Sequence, residues 1–315
     1  MHDLAIILVS HHGDRWLRSC LTSVFDHVGQ CDIDVVVVNN ADDRSVEIVS
    51  EFPQVRMIRC ENRGFAHANN RALLTVEARY ALFLNVDTEI LDGTFEQLVR
   101  TLDERPTVGL AGVRQVSPEG DVAPTIRRFP NAIRSLGEAL GSEHFPFRAQ
   151  WLGERELDLA LHDRECSCDW TSGSFLLVRR EALQSAGLLD ERFFLYSEEP
   201  DLGARIKKAG WEARHLPVMT VLHHGGGGRP DPRLAAQDAY SRIQFARKHF
   251  SEAHRATYRG VLAFGNLLRA LAPGHARREQ RRAARSALRV LIGLDGPPFG
   301  PPPRQALVPP DPGES

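Results

Sequence analysis

No stretch of this 315-residue chain stays apolar for the about 20 residues that a membrane-crossing helix needs. The first apolar run, residues 4–9, is too short for the core of a signal peptide and follows no basic flank. A cytoplasmic location is therefore expected. Cysteine is scarce: there are five, an odd number, at 20, 31, 60, 166 and 168. Cys166 and Cys168 stand one residue apart, which is neither a zinc nor a redox spacing, so reduced thiols are expected rather than disulfides. Neither sign of charge is in excess. The 39 Lys and Arg against 41 Asp and Glu leave a net charge of −2, with no general attraction to nucleic acid. The glycine-rich phosphate loops are missing too. The turn after the first apolar run offers only Gly13, so no Gly-x-Gly-x-x-Gly stands there, and the chain has no Walker loop. A dinucleotide fold is disfavoured. So is a nucleotidyltransferase, which would carry a glycine-rich loop with Lys or Arg at that turn. Any phosphate must be held by a metal or by basic side chains.

What the chain does have is alternation. Residues 4–10, 33–38, 55–59 and 80–84 are short apolar runs that read as strands, the last of them buried on both faces. Between them lie helical patterns. One starts at Asp14 with Leu17, Cys20, Leu21 and Val24 on its apolar face, one covers 45–52, and one runs through Asn69, Asn70 and Leu74. Such alternation predicts βαβ units and a parallel sheet. The fourth strand turns polar at once, at Asn85, Asp87, Thr88 and Glu89. Ligands of open α/β sheets sit beyond the carboxyl ends of the strands. Asp87 thus stands where a crevice begins, able to hold a hard cation and through it a pyrophosphate. A plain turn is the alternative, since Asn and Asp are common turn formers.

Further on, a helix is expected over 92–104, a strand over 108–113 and a hairpin-like turn at 118–121. The next forty residues, through 127–130 and 145–147, have weak periodicity and read as a loop region of low order. Residues 175–178 read as a strand, and a helix opening at 179–183 stops at Gly187. Pro200 is expected to keep Glu198 and Glu199 just ahead of a helix over 201–209. Two strand-like stretches, 211–217 and 218–222, deliver His223 and His224 to the glycines at 225–228. Past Arg229 arginine becomes frequent and acid scarce. An amphipathic helix is expected around 261–271 and a basic one over 277–294, while 296–315 is rich in Pro and Gly and expected to be disordered. The division is then a domain over 1–230, a helical extension over 231–295 and a tail over 296–315. Basic amphipathic helices fit the surface of an anionic membrane.

Seven motifs carry a resemblance. They are Val9-Ser10-His11; residues 35–41 with Asp43; Asn62-x-Gly64-Phe65-Ala66-x-Ala68-x-Asn70; Leu84-Asn85-Val86-Asp87-Thr88; Trp170-x-x-Gly173; the run from Gly187 to Leu202 with Asp190, Glu191, Phe193, Phe194, Tyr196, Glu198, Glu199 and Asp201; and His223-His224-Gly225. In this order and spacing, over roughly residues 4–230, the chain resembles a family 2 glycosyltransferase of the GT-A fold. The similar branch is that of the rhamnosyltransferases of bacterial surface-polysaccharide synthesis.

The resemblance implies an α/β fold with a mostly parallel central sheet flanked by helices, followed here by the C-terminal helical extension. It implies a nucleoside-diphosphate sugar donor, dTDP- or UDP-linked with dTDP-rhamnose first, and a glycan or lipid-linked acceptor. Ser10, His11, Asn39, Asn62, Gly64, Asn70, Asn85 and Asp87 would line the donor site. Asp87 and His223 would hold Mn2+ or Mg2+, and a nitrogen ligand favours Mn2+. Glu199 would be the catalytic base of an inverting displacement, with Trp170, Gly173, Glu198 and the loop region through 127–130 and 145–147 on the acceptor side. The acidic neighbours Glu198 and Asp201 are expected to raise its pKa. A lipid-linked acceptor would bring the C-terminal helices to the inner face of the plasma membrane. The family usually has Asp at positions 39 and 199, and Asn85 makes the first position of the metal motif neutral. These departures leave a second reading open, a sugar-nucleotide-binding protein that has lost catalysis.

Overall fold

A computed structural model describes residues 1–144, 151–225, 231–273 and 277–299. Strands β1 (His2–Ser10), β2 (Ile33–Asn39), β3 (Val55–Arg59) and β4 (Ala78–Asn85) run parallel in the spatial order β3-β2-β1-β4. Helices α1 (Asp14–Asp26), α2 (Ser45–Ser50) and α3 (Phe65–Leu73) connect them, as the alternating pattern predicts. Helices on both faces explain why these strands are apolar throughout rather than at every second residue. Along β1, Leu4, Ile6 and Leu8 enter the core that also holds Leu17, Leu21 and Val24 of α1. Ala5 and Ile7 enter the opposite core with Ala66, Ala68 and Ala72 of α3.

The second half of the sheet is mixed. It contains β5 (Thr88–Asp92), β6 (Val108–Val116), and, after the paired short strands β7 (Ile126–Arg127) and β9 (Trp170–Thr171), the strands β10 (Phe175–Arg179) and β11 (Glu212–His223). β8 (Cys166–Ser167) pairs with β11. Along the path β3-β2-β1-β4-β10-β6-β11-β5, β10 and β5 run antiparallel to the other strands. Helices α4 (Phe95–Asp103), α5 (Ala132–Ala139), α6 (Arg180–Ala186) and α7 (Glu198–Lys208) accompany this half. The long helices α8 (Pro232–His249), α9 (Glu252–Leu271) and α10 (Arg278–Leu291) follow it.

Several elements differ from the sequence reading, each for a physical reason. The five residues of β5 are too few to show a period; Thr94 caps α4 by accepting from Gln97 N, so that helix starts at Phe95 rather than 92. Residues 212–223 form one strand, not two. Pro217 is absorbed where the β11–β6 register shifts between His215 and Thr220. Helix α5 lies inside the region read as low-order loop, with Asn131 accepting from Arg134 N at its start. Helix α7 begins at Glu198, ahead of Pro200. A proline in the first turn is tolerated because the N–H it lacks would have had no partner there. Helix α8 was not foreseen. Of the expected tail, Phe299 stacks on Phe194 with ring centroids 4.8 Å apart; residues 145–147, 226–228 and 300–315 lie outside the described residues. All five cysteines are free thiols.

Helix α8 is bound to α7 through buried charge. Asp201 is fully buried, and Arg205 Nε, Lys248 Nζ and His249 Nε2 reach its carboxylate at 2.9, 2.7 and 2.7 Å. Burial alone would raise its pKa, but the hydrogen bond from His249 and the charges of Arg205 and Lys248 bring it below the usual carboxylate range. Removing one partner of such a group leaves the others buried and uncompensated. Asp201→Ala is expected to lower stability by about 3 kcal/mol, read from the urea midpoint at unchanged slope.

Candidate active site

Two cavities open beyond the carboxyl ends of the strands. The first, about 480 Å³, is lined by Val9 and His11 after β1, Asn40 after β2, Asn62 and Gly64 before α3, and Asn85, Val86 and Asp87 after β4. Arg15 and Trp16 from the first turn of α1 also line it, as do Phe194 and Leu195. His11 bridges two of these residues, with Nδ1 3.1 Å from Asn40 Oδ1 and Nε2 3.4 Å from Asn62 Nδ2. The second cavity, about 270 Å³, is lined by Arg127, Trp170, Ser172, Tyr196, Ser197 and Glu199, with Arg242 and Tyr258 from α8 and α9.

One loop separates the two cavities. Phe194 and Leu195 face the first; Tyr196, Ser197 and Glu199 face the second. Tyr196 and Ser197 both have φ near +70° (69° and 68°), an unfavourable conformation for side-chain-bearing residues. The contacts around them hold it. Ser241 Oγ of α8 donates to Leu195 O at 2.7 Å, and Phe65 N donates to Phe194 O at 2.8 Å. Gly64 permits the second contact: its φ is +103°, and a Cβ there would overlap the Phe194 carbonyl.

Not every expected donor-site residue reaches the first cavity. His11, Asn62, Gly64, Asn85 and Asp87 do. Ser10, Asn39 and Asn70 are buried and spend their side chains inside the fold. Ser10 Oγ lies 2.8 Å from Ser45 Oγ. Asn39 closes its own turn, accepting from Ala41 N and donating to Asp43. Asn70 brackets Leu189 by accepting from its N–H and donating to its carbonyl, and it also donates to Glu191. Asn40, next to Asn39, stands in the cavity wall instead, because successive residues at a strand end point to opposite sides.

Asp87 and His223 face each other across β5 and β11, with Asp87 Oδ1 3.4 Å from His223 Nε2. Burial would raise the Asp87 pKa, but the His223 contact outweighs it and holds the carboxyl below its ordinary value. A carboxylate oxygen and an imidazole nitrogen this close are a donor pair that one divalent cation can share. Among the described residues no group of three or more His, Cys, Asp or Glu is arranged to hold a metal alone. The pair therefore fits a cation whose remaining ligands are phosphate oxygens and water. His224 is engaged elsewhere, stacked on Trp16 at 3.9 Å and 2.7 Å from Glu89 Oε1.

Glu199, in the first turn of α7, points its carboxylate at Gly173. Burial raises its pKa; backbone N–H groups, that of Gly173 among them, and the Arg127 guanidinium oppose the shift, and Asp238 adds to it. The direction matches the sequence expectation but the main cause is burial. Asp201, held by Arg205, Lys248 and His249, is not among the main causes. Glu198 is 2% exposed, its Oε2 has no partner, and it is absent from the cavity wall, where an acceptor contact had been expected. Burial, and then the nearby Glu199, push its pKa well up. Trp170 lines the cavity with its Nε1 donating to Arg128 O at 3.0 Å, and Arg127 lies over its ring at 5.5 Å. A Cβ at residue 173 would overlap the Glu199 carboxyl, the movable end of a side chain. Gly173→Ala is therefore expected to leave the melting temperature unchanged but to displace Glu199. Since a shift of about 1 Å can cost about 10²-fold in rate, transfer should fall by that order in an initial-rate assay.

Arg15, Trp16, Asn40 and Phe194 were not foreseen as cavity residues. Arg127 lies in the loop region expected on the acceptor side, and it lines the second cavity.

Comparison with known proteins gives the family. The family model described as "Glycosyl transferase family 2" matches residues 5–184. An N-acetylglucosaminyl-diphospho-decaprenol L-rhamnosyltransferase of Mycobacterium tuberculosis is 31% identical over 263 residues, which are 78% of this chain and 83% of that protein. The rhamnosyltransferase WbbL of Escherichia coli is 23% identical over 234 residues, 70% of this chain and 82% of that one. Among solved structures, a mannosyltransferase of Pyrobaculum calidifontis in complex with GDP-Man and Mn2+ superposes with a TM-score of 0.55 at 13% identity, covering 93% of this chain and 88% of that one. The chain belongs to glycosyl transferase family 2 and is a glycosyltransferase, with the GT-A fold that its motifs imply.

Proposed function

We propose that the chain transfers rhamnose from a dTDP- or UDP-linked donor, dTDP-rhamnose first, to a hydroxyl of a glycan or lipid-linked acceptor, with inversion at the anomeric carbon. The observation that carries this reading is the loop shared by the two cavities. It sets a pocket of about 480 Å³ walled by His11, Arg15, Asn62 and Asp87 on one side and the Glu199 carboxyl beside Trp170 and Tyr196 on the other. The 31% sequence identity with an N-acetylglucosaminyl-diphospho-decaprenol L-rhamnosyltransferase favours the same donor and acceptor class.

In this mechanism the donor diphosphate would lie along His11, Arg15 and Asn62, and Asp87 and His223 would hold a divalent cation, Mn2+ or Mg2+. When bound, that cation offsets the charge developing on the departing diphosphate. Trp170 and Tyr196 orient the acceptor. Glu199, ionised and held by the Gly173 N–H, accepts the proton of the acceptor hydroxyl. That oxygen bonds to the anomeric carbon as the bond to the diphosphate breaks on the opposite face. A thermal-shift screen of nucleotide sugars with and without Mn2+ tests the donor class, because a ligand at a hundred times its Kd adds about 2.7 kcal/mol of stability. A dTDP-sugar should give the largest Mn2+-dependent shift; no shift with any nucleotide sugar would remove the reading. Binding without hydrolysis or transfer would favour the non-catalytic alternative.

A further inference from the structure

The face formed by α5 and α9 carries apolar side chains in helical stripes that no part of the described chain covers. On α9, Phe264, Leu267, Leu268 and Leu271 are exposed at intervals of three and four residues, Leu271 at 69%. On α5, Ile133, Leu136 and Leu140 at its end do the same, Ile133 at 62%. The two helices lie against each other, with Gly265 so close to Ala139 that a Cβ at 265 would stand 2.8 Å from the Ala139 Cβ. Trp151, 56% exposed, is next to Leu152, which packs on Gly137 of α5. Helix α9 also packs on α8 and on α10, whose buried face is Ala283, Ala284, Ala287, Val290 and Leu291. Its exposed face is a row of arginines, Arg278, Arg282, Arg285 and Arg289, the last paired with Asp295. Glu279 is the single acid on that helix.

We infer that this face docks the enzyme on an anionic phospholipid bilayer, with the α5 and α9 stripes in the acyl boundary and the α10 arginines against the headgroups. Apolar stripes beside an arginine row are the pattern of an interfacial helix, and none of these helices is long and apolar enough to span a membrane. Charge chooses between a bilayer and a second copy of the chain. A symmetric partner on this face would bring two arginine rows together, whereas lipid phosphates complement them. An interfacial aromatic such as Trp151 is at home at headgroup depth. The inference rests on the lipid-linked acceptor proposed above and names the surface that would bring the second cavity to such an acceptor.

The test is sedimentation of the full-length protein with vesicles of phosphatidylcholine, with and without phosphatidylglycerol. The wild type should bind the anionic vesicles and release at high salt. Leu267→Ser with Leu271→Ser and Ile133→Ser should weaken that binding by about tenfold or more. Arg278→Gln with Arg282→Gln and Arg285→Gln should abolish the preference for anionic lipid. Both variants should retain the wild-type melting temperature and turnover of a short water-soluble acceptor. Wild-type protein that ignores anionic vesicles, or serine variants that bind like wild type, would overturn the inference. So would a wild-type dimer that the serine variants dissociate. Lost turnover of the soluble acceptor in the wild type would instead count against the transfer reaction, which vesicle binding does not read.

Discussion

Glu199→Gln should lower the rate of sugar transfer by about 10²–10⁴-fold, the usual worth of a positioned general base, and leave donor affinity unchanged. Gln keeps the size of the side chain and can still accept from the Gly173 N–H, but it cannot take a proton. Donor affinity should be spared because Glu199 lines the second cavity, while the first cavity, the proposed nucleotide pocket, lies on the other side of the loop ahead of α7. The pH profile supplies an independent mark. Burial raises the Glu199 pKa, so the carboxylate is lost at a higher pH than an ordinary glutamate would require. The acid limb of the wild-type rate should therefore lie above the usual carboxylate range, with activity falling as pH drops through it, and the Gln variant should lack that limb. Near-wild-type transfer by Glu199→Gln would remove Glu199 as the base. Lost donor binding would assign it to the nucleotide site.

The second large effect belongs to Asp87. Asp87→Ala should abolish Mn2+-dependent binding of a nucleoside diphosphate, measured by isothermal titration with and without the ion. Asn85 is neutral, and the other member of the donor pair, His223, is a single imidazole. Among the described residues no group of three or more His, Cys, Asp or Glu is arranged to hold a metal in their place. Loss of a mere outer partner of a metal ligand costs about 10–100-fold in affinity, so loss of the sole carboxylate should cost more. Affinity equal in variant and wild type would end the metal role of Asp87.

How much of this was legible in the sequence depended on the distance between the residues that meet. The parallel half of the sheet was readable because each strand is a continuous apolar run and each crossover a helical period. Asp87 was readable because it ends such a run. The mixed half was not. A five-residue strand such as β5 and a strand carrying Pro217 have no clear period, yet they bring His223 opposite Asp87. Helix α8 was missed although its role is specific: Ser241 fixes the strained loop and Lys248 and His249 hold Asp201, contacts made across about forty-five residues of chain. Ser10, Asn39 and Asn70 were read as ligands because they sit in motifs. Which way a polar side chain points at a strand end or on a helix is decided by tertiary partners such as Ser45, Asp43 and Glu191. Gly173 was expected near an acceptor; only the folded chain shows that it makes room for the Glu199 carboxyl.

The central claim is that the two cavities bind a sugar nucleotide and an acceptor hydroxyl and that Glu199 joins their chemistry. The most direct measurement is product analysis after incubating the protein with dTDP-rhamnose, Mn2+ and an N-acetylglucosaminyl-diphospho-lipid. The account predicts a rhamnosylated lipid whose new linkage is of inverted anomeric configuration by nuclear magnetic resonance, formed by the wild type and at least about 10²-fold more slowly by Glu199→Gln. A product of retained configuration, or equal rates from the two proteins, would contradict it.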